Sequence, residues 1–229
     1  MNLKTFSAVL FDFGDTLVTL PIRREELFVR AAQSIGVTLS LEAVQHAYQI
    51  VDFYKKYSSV KQQVRAQFYA EYNALLCEVL GISSHYEKLL PAVTEEFANC
   101  PKWVLIDDAK EVLGKLTELQ LSLGLVANWD ANLGDVAARL QIKDYFKVIV
   151  ASQAVGVEKP DPEIFRIAIG LLGSVEPESV LYVGNEYKAD VVGSRAAGLT
   201  PVLIDRDDLY PHADCLRFRS LGEILVKAS

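Results

Sequence analysis

A chain of 229 residues, 51% of them apolar, can bury a full core and form one or two compact domains. Its 23 basic and 30 acidic residues give a net charge of −7. That balance excludes a general binder of nucleic acid or of anionic membrane, while a local basic pocket for a small anion stays open. Cys77, Cys100 and Cys215 lie far apart with no C-x-x-C spacing, so neither a disulfide framework nor a zinc site is expected, and a reducing, cytoplasmic setting fits. The opening MNLKTFSAVLF carries too short an apolar run for a signal peptide, and no run reaches the roughly 18 apolar residues of a membrane span.

Five short runs rich in Val, Ile and Leu follow one another along the chain: SAVLF before Asp12, LSLGLVA before Asn128, FKVIVA before Ser152, VLYVG before Asn185 and TPVLI before Asp205. They lack apolar and polar alternation, which predicts strands covered on both faces, as in a parallel sheet. Helical segments separate the later four. Asp108 with Glu111 reads as a capping box ahead of AKEVLGKLTEL, and Asp161 with Pro162 reads as a cap and first-turn proline ahead of EIFRIAIGLLG. Strand, helix, strand is the repeat of a doubly wound, Rossmann-like α/β layer.

Between the first and second strands lie about a hundred residues, far longer than an ordinary crossover, and they read as helix. Ser40 precedes LEAVQHAYQIVDFY. Ser59 precedes VKQQVRAQFYAEYNALLCEVLG, in which Val60, Val64, Phe68, Tyr72, Leu75, Leu76 and Val79 recur on one face and Gly81 marks the end. The expectation is an α/β core of residues 1–17 and 98–229 with an inserted all-α domain at 18–97.

In an open parallel sheet, ligands bind beyond the carboxyl ends of the strands, where strand order reverses. The candidates are therefore Asp12 to Thr16, Asn128, the Lys159 loop, and Asn185 to Asp190. A carboxylate closing a buried strand, as Asp12 does, is costly unless cations or N–H donors face it. Lys159 and a metal ion would supply them.

The motifs FDFGDTL, GLVANWD, VGVEKPDPEIF and VGNEYKADVVGSRAAG, in this order and spacing, resemble the haloacid dehalogenase superfamily, in the branch with a helical cap inserted after the first strand. The resemblance covers essentially the whole chain. It implies that Asp12 is a nucleophile, that Lys159 neutralises charge, and that Phe13, Gly14, Asn128 and Lys159 meet the substrate. It also implies a magnesium site made by Asp12, the Gly14 carbonyl, Asn185 and Asp190. Attack by Asp12 would split one displacement into two steps through an aspartyl intermediate.

Three positions depart from the pattern. Phosphate-ester hydrolases of the family commonly have a second aspartate two residues after the nucleophile, acting as acid and base; here it is Gly14, and Asp15 falls one residue late, where side chains of near-extended backbone turn the other way. Ala127 stands where the family places Ser or Thr. Asn185 replaces an aspartate, and Glu186 is the nearest replacement for its charge. Thr16 is expected to hydrogen-bond the turn, Glu158 to face solvent, and Trp129 to pack beside the turn of Asp130. Arg23, Arg24, Lys55, Lys56 and Lys61 are cap cations that could read an anionic substrate or simply face water. His46, His85 and His212 match no strand end.

The reading is thus a magnesium-dependent phosphatase of a small phosphorylated metabolite. Its alternatives are a catalytically weakened ligand- or partner-binding relative and a 2-haloacid dehalogenase that needs no metal. No nucleic-acid or membrane partner is expected, and oligomeric state stays open.

Overall fold

The computed structural model describes residues 2–57, 65–100 and 103–226. The chain divides into two compact units, one of residues 1–19 with 103–229 and one of residues 20–102.

The first unit is built on six parallel strands: β1 (Ala8–Phe11), β2 (Ser122–Ala127), β3 (Phe146–Ala151), β4 (Val180–Gly184), β5 (Thr200–Ile204) and β6 (Leu216–Phe218). Their spatial order is β3-β2-β1-β4-β5-β6, so the doubly wound α/β fold read from the sequence is present. Strand order reverses at β1, which pairs β2 on one side and β4 on the other. The five strands expected from apolar runs are all there. The sixth, Leu216–Phe218, carries Arg217 at its centre and is only three residues long, too short and too polar for a periodicity signal. A two-stranded antiparallel ribbon, Val18–Thr19 with Val104–Leu105, was equally invisible.

Both faces of the sheet are covered, which explains why the strands do not alternate. Val9 and Phe11 pack into one core with Val112, Leu113 and Leu116 of the helix Ala109–Glu118. Ala8 and Leu10 pack into the other with Ile164, Phe165 and Ala168 of the helix Pro162–Leu172. Asp161 caps that second helix by accepting from Glu163 N at 2.9 Å, with Pro162 in the first turn, as the sequence predicts. The capping box at Asp108 does not form. Its Oδ2 accepts instead from Gly222 N at 2.9 Å, a tertiary contact that wins over the local cap.

The second unit packs the helices Arg24–Ser34, Leu41–Tyr57, Arg65–Val79 and Tyr86–Asn99 around Phe28, Val44, Tyr48, Leu76 and Leu89. Ser40 caps its helix, accepting from Ala43 N at 3.1 Å. Tyr72 and Leu76 are buried as the periodicity requires, whereas Val79, the last residue of the helix, is exposed before Gly81. Ser59, Val60, Lys61 and Val64 lie outside the described residues. Arg24 is taken up within the unit: it pairs with Asp52 and Glu25 and lies over the Tyr48 ring at 4.5 Å. No helix among the described residues is long and apolar enough to cross a membrane.

Candidate active site

Asp12 is the first residue past β1, and its N–H continues the ladder by donating to Val183 O at 2.8 Å. The strand ladder thus fixes its backbone at the point where strand order reverses, the usual ligand crevice of such sheets. The residue is only 7% exposed. Oδ1 accepts from Lys159 Nζ at 2.6 Å and Oδ2 from the Thr16 hydroxyl at 3.0 Å. Burial pushes the carboxyl up from 3.8 to about 6; Lys159 opposes that and the neighbouring Asp190 adds to it.

Lys159 reaches Asp12 from the loop after β3. All three of its ammonium protons have acceptors: Asp12 Oδ1 at 2.6 Å, Asp190 Oδ1 at 2.6 Å and the Tyr182 hydroxyl at 2.9 Å. Burial alone would lower its pKa, but the two carboxylates outweigh burial and hold it well above the ordinary value. The backbone that carries it is clamped by Asn128 at the end of β2, whose Oδ1 accepts from Lys159 N at 2.7 Å while Nδ2 donates to Lys159 O at 3.0 Å. The Asn128 side chain therefore positions the lysine. Glu158, next to it, is exposed as expected.

Asp190 arrives from a π-helical turn, Tyr187–Val192, that follows β4. It is 1% exposed, with Oδ1 on Lys159 and Oδ2 accepting from Glu186 N at 2.8 Å. Gly184 makes room for it, since a Cβ there would stand 2.3 Å from the Asp190 carboxyl carbon. Glu186 itself is exposed. The cluster of Asp12, Lys159 and Asp190 carries two negative charges and one positive on buried residues, and it draws together residues 147 and 31 apart in sequence.

Tyr182 was missed by the sequence reading. Its hydroxyl accepts from Lys159, donates to Val126 O at 2.8 Å, and lies 3.2 Å from Asp190 Oδ1, while its ring packs edge-on against Phe165 at 4.8 Å. In VLYVG it read as one more apolar strand residue, and nothing local distinguishes it.

Asn185 lies at the end of β4. Its neighbours are satisfied with Nδ2 turned to the strand ends, donating to Thr16 Oγ1 at 3.0 Å, Gly14 O at 3.2 Å and Asp12 Oδ2 at 3.2 Å. Three oxygens thus converge on one N–H donor group, the kind of oxygen set a hard cation uses. Among the described residues no group of three or more His, Cys, Asp or Glu could hold a metal. A magnesium ion at that point would rest on the Asp12 carboxylate and the Gly14 carbonyl, with the Asn185 amide rotated to present its oxygen in place of Nδ2, and the residues present fit it in kind.

The turn after Asp12 differs from the family pattern in a way that the backbone explains. Asp15 occupies the left-handed region at φ 55°, where aspartate is among the few tolerated non-glycine residues. Its Oδ1 accepts from the Thr19 hydroxyl at 3.1 Å, and Arg206 ties the turn down by donating to the carbonyls of Asp15 at 2.6 Å and Thr16 at 3.1 Å. Arg206, beyond β5, carried no sequence signal. Phe13 is fully buried and meets Trp129 edge-on at 5.1 Å. Trp129 packs as expected.

Residues 9–204 match the model of the haloacid dehalogenase-like hydrolase family. The chain belongs to that family. It is 30% identical over 213 residues to haloacid dehalogenase-like hydrolase domain-containing protein 3 of Danio rerio, covering 87% of this chain and 85% of the relative. It is also 30% identical over 218 residues to the glyceraldehyde 3-phosphate phosphatase of Methanopyrus kandleri, covering 90% and 88%, and 26% identical over 220 residues to the phosphoserine phosphatase of Thermus thermophilus, covering 86% and 88%. Among solved structures, the magnesium-bound HAD-hydrolase YfnB of Bacillus subtilis superposes with a TM-score of 0.73 at 21% identity, over 97% of this chain and 98% of that one. The protein is thus a HAD-like hydrolase, with relatives named as phosphatases.

Proposed function

We propose that this hydrolase is a magnesium-dependent phosphatase of small phosphorylated metabolites, working through an aspartyl-phosphate on Asp12. The observation that carries this reading is the buried ion pair of Asp12 with Lys159 at 2.6 Å, at the strand-order reversal. A carboxylate poised near 6 is largely ionised at neutral pH and available to attack phosphorus. Lys159 offsets the charge of the transferring phosphoryl group, which electrostatic preorganisation of this kind stabilises most as charge develops. The backbone N–H groups of Phe13, Gly14 and Asn128 would bind the phosphoryl oxygens, and Asn128 would hold Lys159 in place.

Magnesium, when bound, would supply charge neutralisation on the phosphoryl oxygens. Asp12, the Gly14 carbonyl and Asn185 would hold it, with Asp190 contributing negative charge from beside Lys159. The helical unit would close over the crevice as a cap and exclude water. Three free cysteines, Cys77, Cys100 and Cys215, support a reducing cytoplasm.

A panel of phosphate esters and anhydrides, assayed with and without magnesium beside Asp12→Asn, tests the reading. Turnover that requires both magnesium and Asp12 supports it. Halide release from 2-haloacids without metal would replace it with the dehalogenase reading. No turnover, together with a metabolite that raises the melting temperature, would replace it with a binding protein, the alternative to which Gly14, Ala127 and Asn185 point.

A further inference from the structure

Breaking a phosphate ester leaves an alkoxide unless a nearby acid hands it a proton, and a positioned acid is worth roughly 10²- to 10⁴-fold. Two residues beyond Asp12 stands Gly14, and a Cβ there would meet Trp129 Cζ3 at 3.3 Å. The indole is held in that place by Phe13 at 5.1 Å and by the Trp103 ring at 4.9 Å. Asp15 is engaged by the Thr19 hydroxyl, which donates to its Oδ1 at 3.1 Å, and with Thr19, Asn185 and Arg206 it lines a cavity of about 420 Å³. The Arg206 bonds to two carbonyls of the turn keep it there.

The groups that touch the Asp12 carboxylate, among the described residues, include the Thr16 hydroxyl, the Lys159 ammonium, the Asn185 amide and the Phe13 backbone N–H. A hydroxyl and an amide are too weakly acidic to protonate a leaving oxygen. Lys159 keeps its three protons on Asp12, Asp190 and Tyr182.

We infer that this site takes phosphoric anhydrides, acyl phosphates in particular, in preference to alkyl phosphate esters; the inference rests on the phosphatase reading of the same site. In an acyl phosphate the leaving oxygen departs as a carboxylate, stable without a proton. The bond from an Asp12 oxygen to phosphorus forms as the bond from phosphorus to the leaving oxygen breaks, and that oxygen keeps the electron pair. Water then attacks phosphorus, the bond from phosphorus to Asp12 breaks, and the water's proton passes to solvent. Relatives named for glyceraldehyde 3-phosphate and phosphoserine act on alkyl esters by those names, so this chain would part from them in leaving group.

The test measures kcat/KM, which covers the steps through phosphorylation of Asp12, for acetyl phosphate, glycerol phosphate and phenyl phosphates of graded phenol acidity. All are run on the full chain with magnesium, and the Asp12→Asn rate is subtracted as background. Within the phenyl series the substituent is remote from phosphorus, so the slope reports the charge left on the departing oxygen, which a proton donor would cancel. The expected result is a fall of about 100-fold or more from 4-nitrophenyl to phenyl phosphate, and a similar preference for acetyl over glycerol phosphate. Phenyl phosphates turned over within about threefold of one another, or glycerol phosphate matching acetyl phosphate, would show a proton donor at work and overturn this inference while leaving a phosphatase. No Asp12-dependent turnover of any of them would overturn the phosphatase reading as well.

Discussion

Replacing Asp12 by asparagine is expected to make the metal-free protein more stable at pH 8, although it removes the proposed nucleophile. The buried cluster holds two carboxylates against one ammonium. Asparagine cancels the surplus charge while keeping an Oδ1 to accept from Lys159, whose pairing with Asp190 survives. The size follows from Asp12 itself: a carboxyl moved from 3.8 to about 6, at 1.36 kcal/mol per tenfold in the equilibrium, makes its ionised form about 3 kcal/mol less stable in the fold than in the unfolded chain. Below about pH 4 both states of the parent carry the proton, and parent and variant should agree. Between about 4 and 6 the folded parent keeps a proton that the unfolded chain has shed, so its stability falls with rising pH relative to the variant. Above 6 the deficit is complete. For a chain of this length the gain corresponds to a melting temperature higher by about 6–12 °C, read by thermal unfolding in chelator at pH 4 and pH 8. Asp12→Asn equal to or less stable than the parent at pH 8 would refute the surplus-charge argument.

Other substitutions test the remaining parts of the site. Lys159→Met leaves two buried carboxylates facing each other and should cost about 3–5 kcal/mol in denaturant unfolding at pH 7, with part of the loss recovered at pH 5 as a carboxyl takes up a proton. Gly184→Ala puts a Cβ 2.3 Å from the Asp190 carboxyl carbon; overpacking of this kind should cost about 3 kcal/mol and reduce turnover, because Asp190 must leave Lys159. Asn128→Ala removes both bonds to the Lys159 backbone, with an expected loss of about 1–3 kcal/mol and a kcat reduced more than KM is raised.

What the sequence disclosed about this molecule divides by range. Each of the five long strands reads as a bare apolar run because both faces are covered, one by the helix carrying Val112 and Leu116 and the other by the helix carrying Ile164 and Phe165. A strand-end aspartate was therefore conspicuous, and Asp12, Lys159 and Asp190 could be picked out before their side chains were seen to meet. What escaped was set by tertiary contacts with no periodic trace. Tyr182 reads as strand filler until its hydroxyl meets Lys159. Asp108 abandons its local cap for Gly222 across 114 residues. Arg206 fixes a turn 191 residues away. The same division explains the turn after Asp12. Its departure from the family pattern was plain in FDFGDTL, whereas the Trp129 ring, which a Cβ at Gly14 would meet at 3.3 Å, showed only in the fold. A side chain at position 14 would press on the indole at position 129, so an acid introduced there needs that ring to give by a few tenths of an ångström, and pairing it with a smaller residue at 129 relieves the contact.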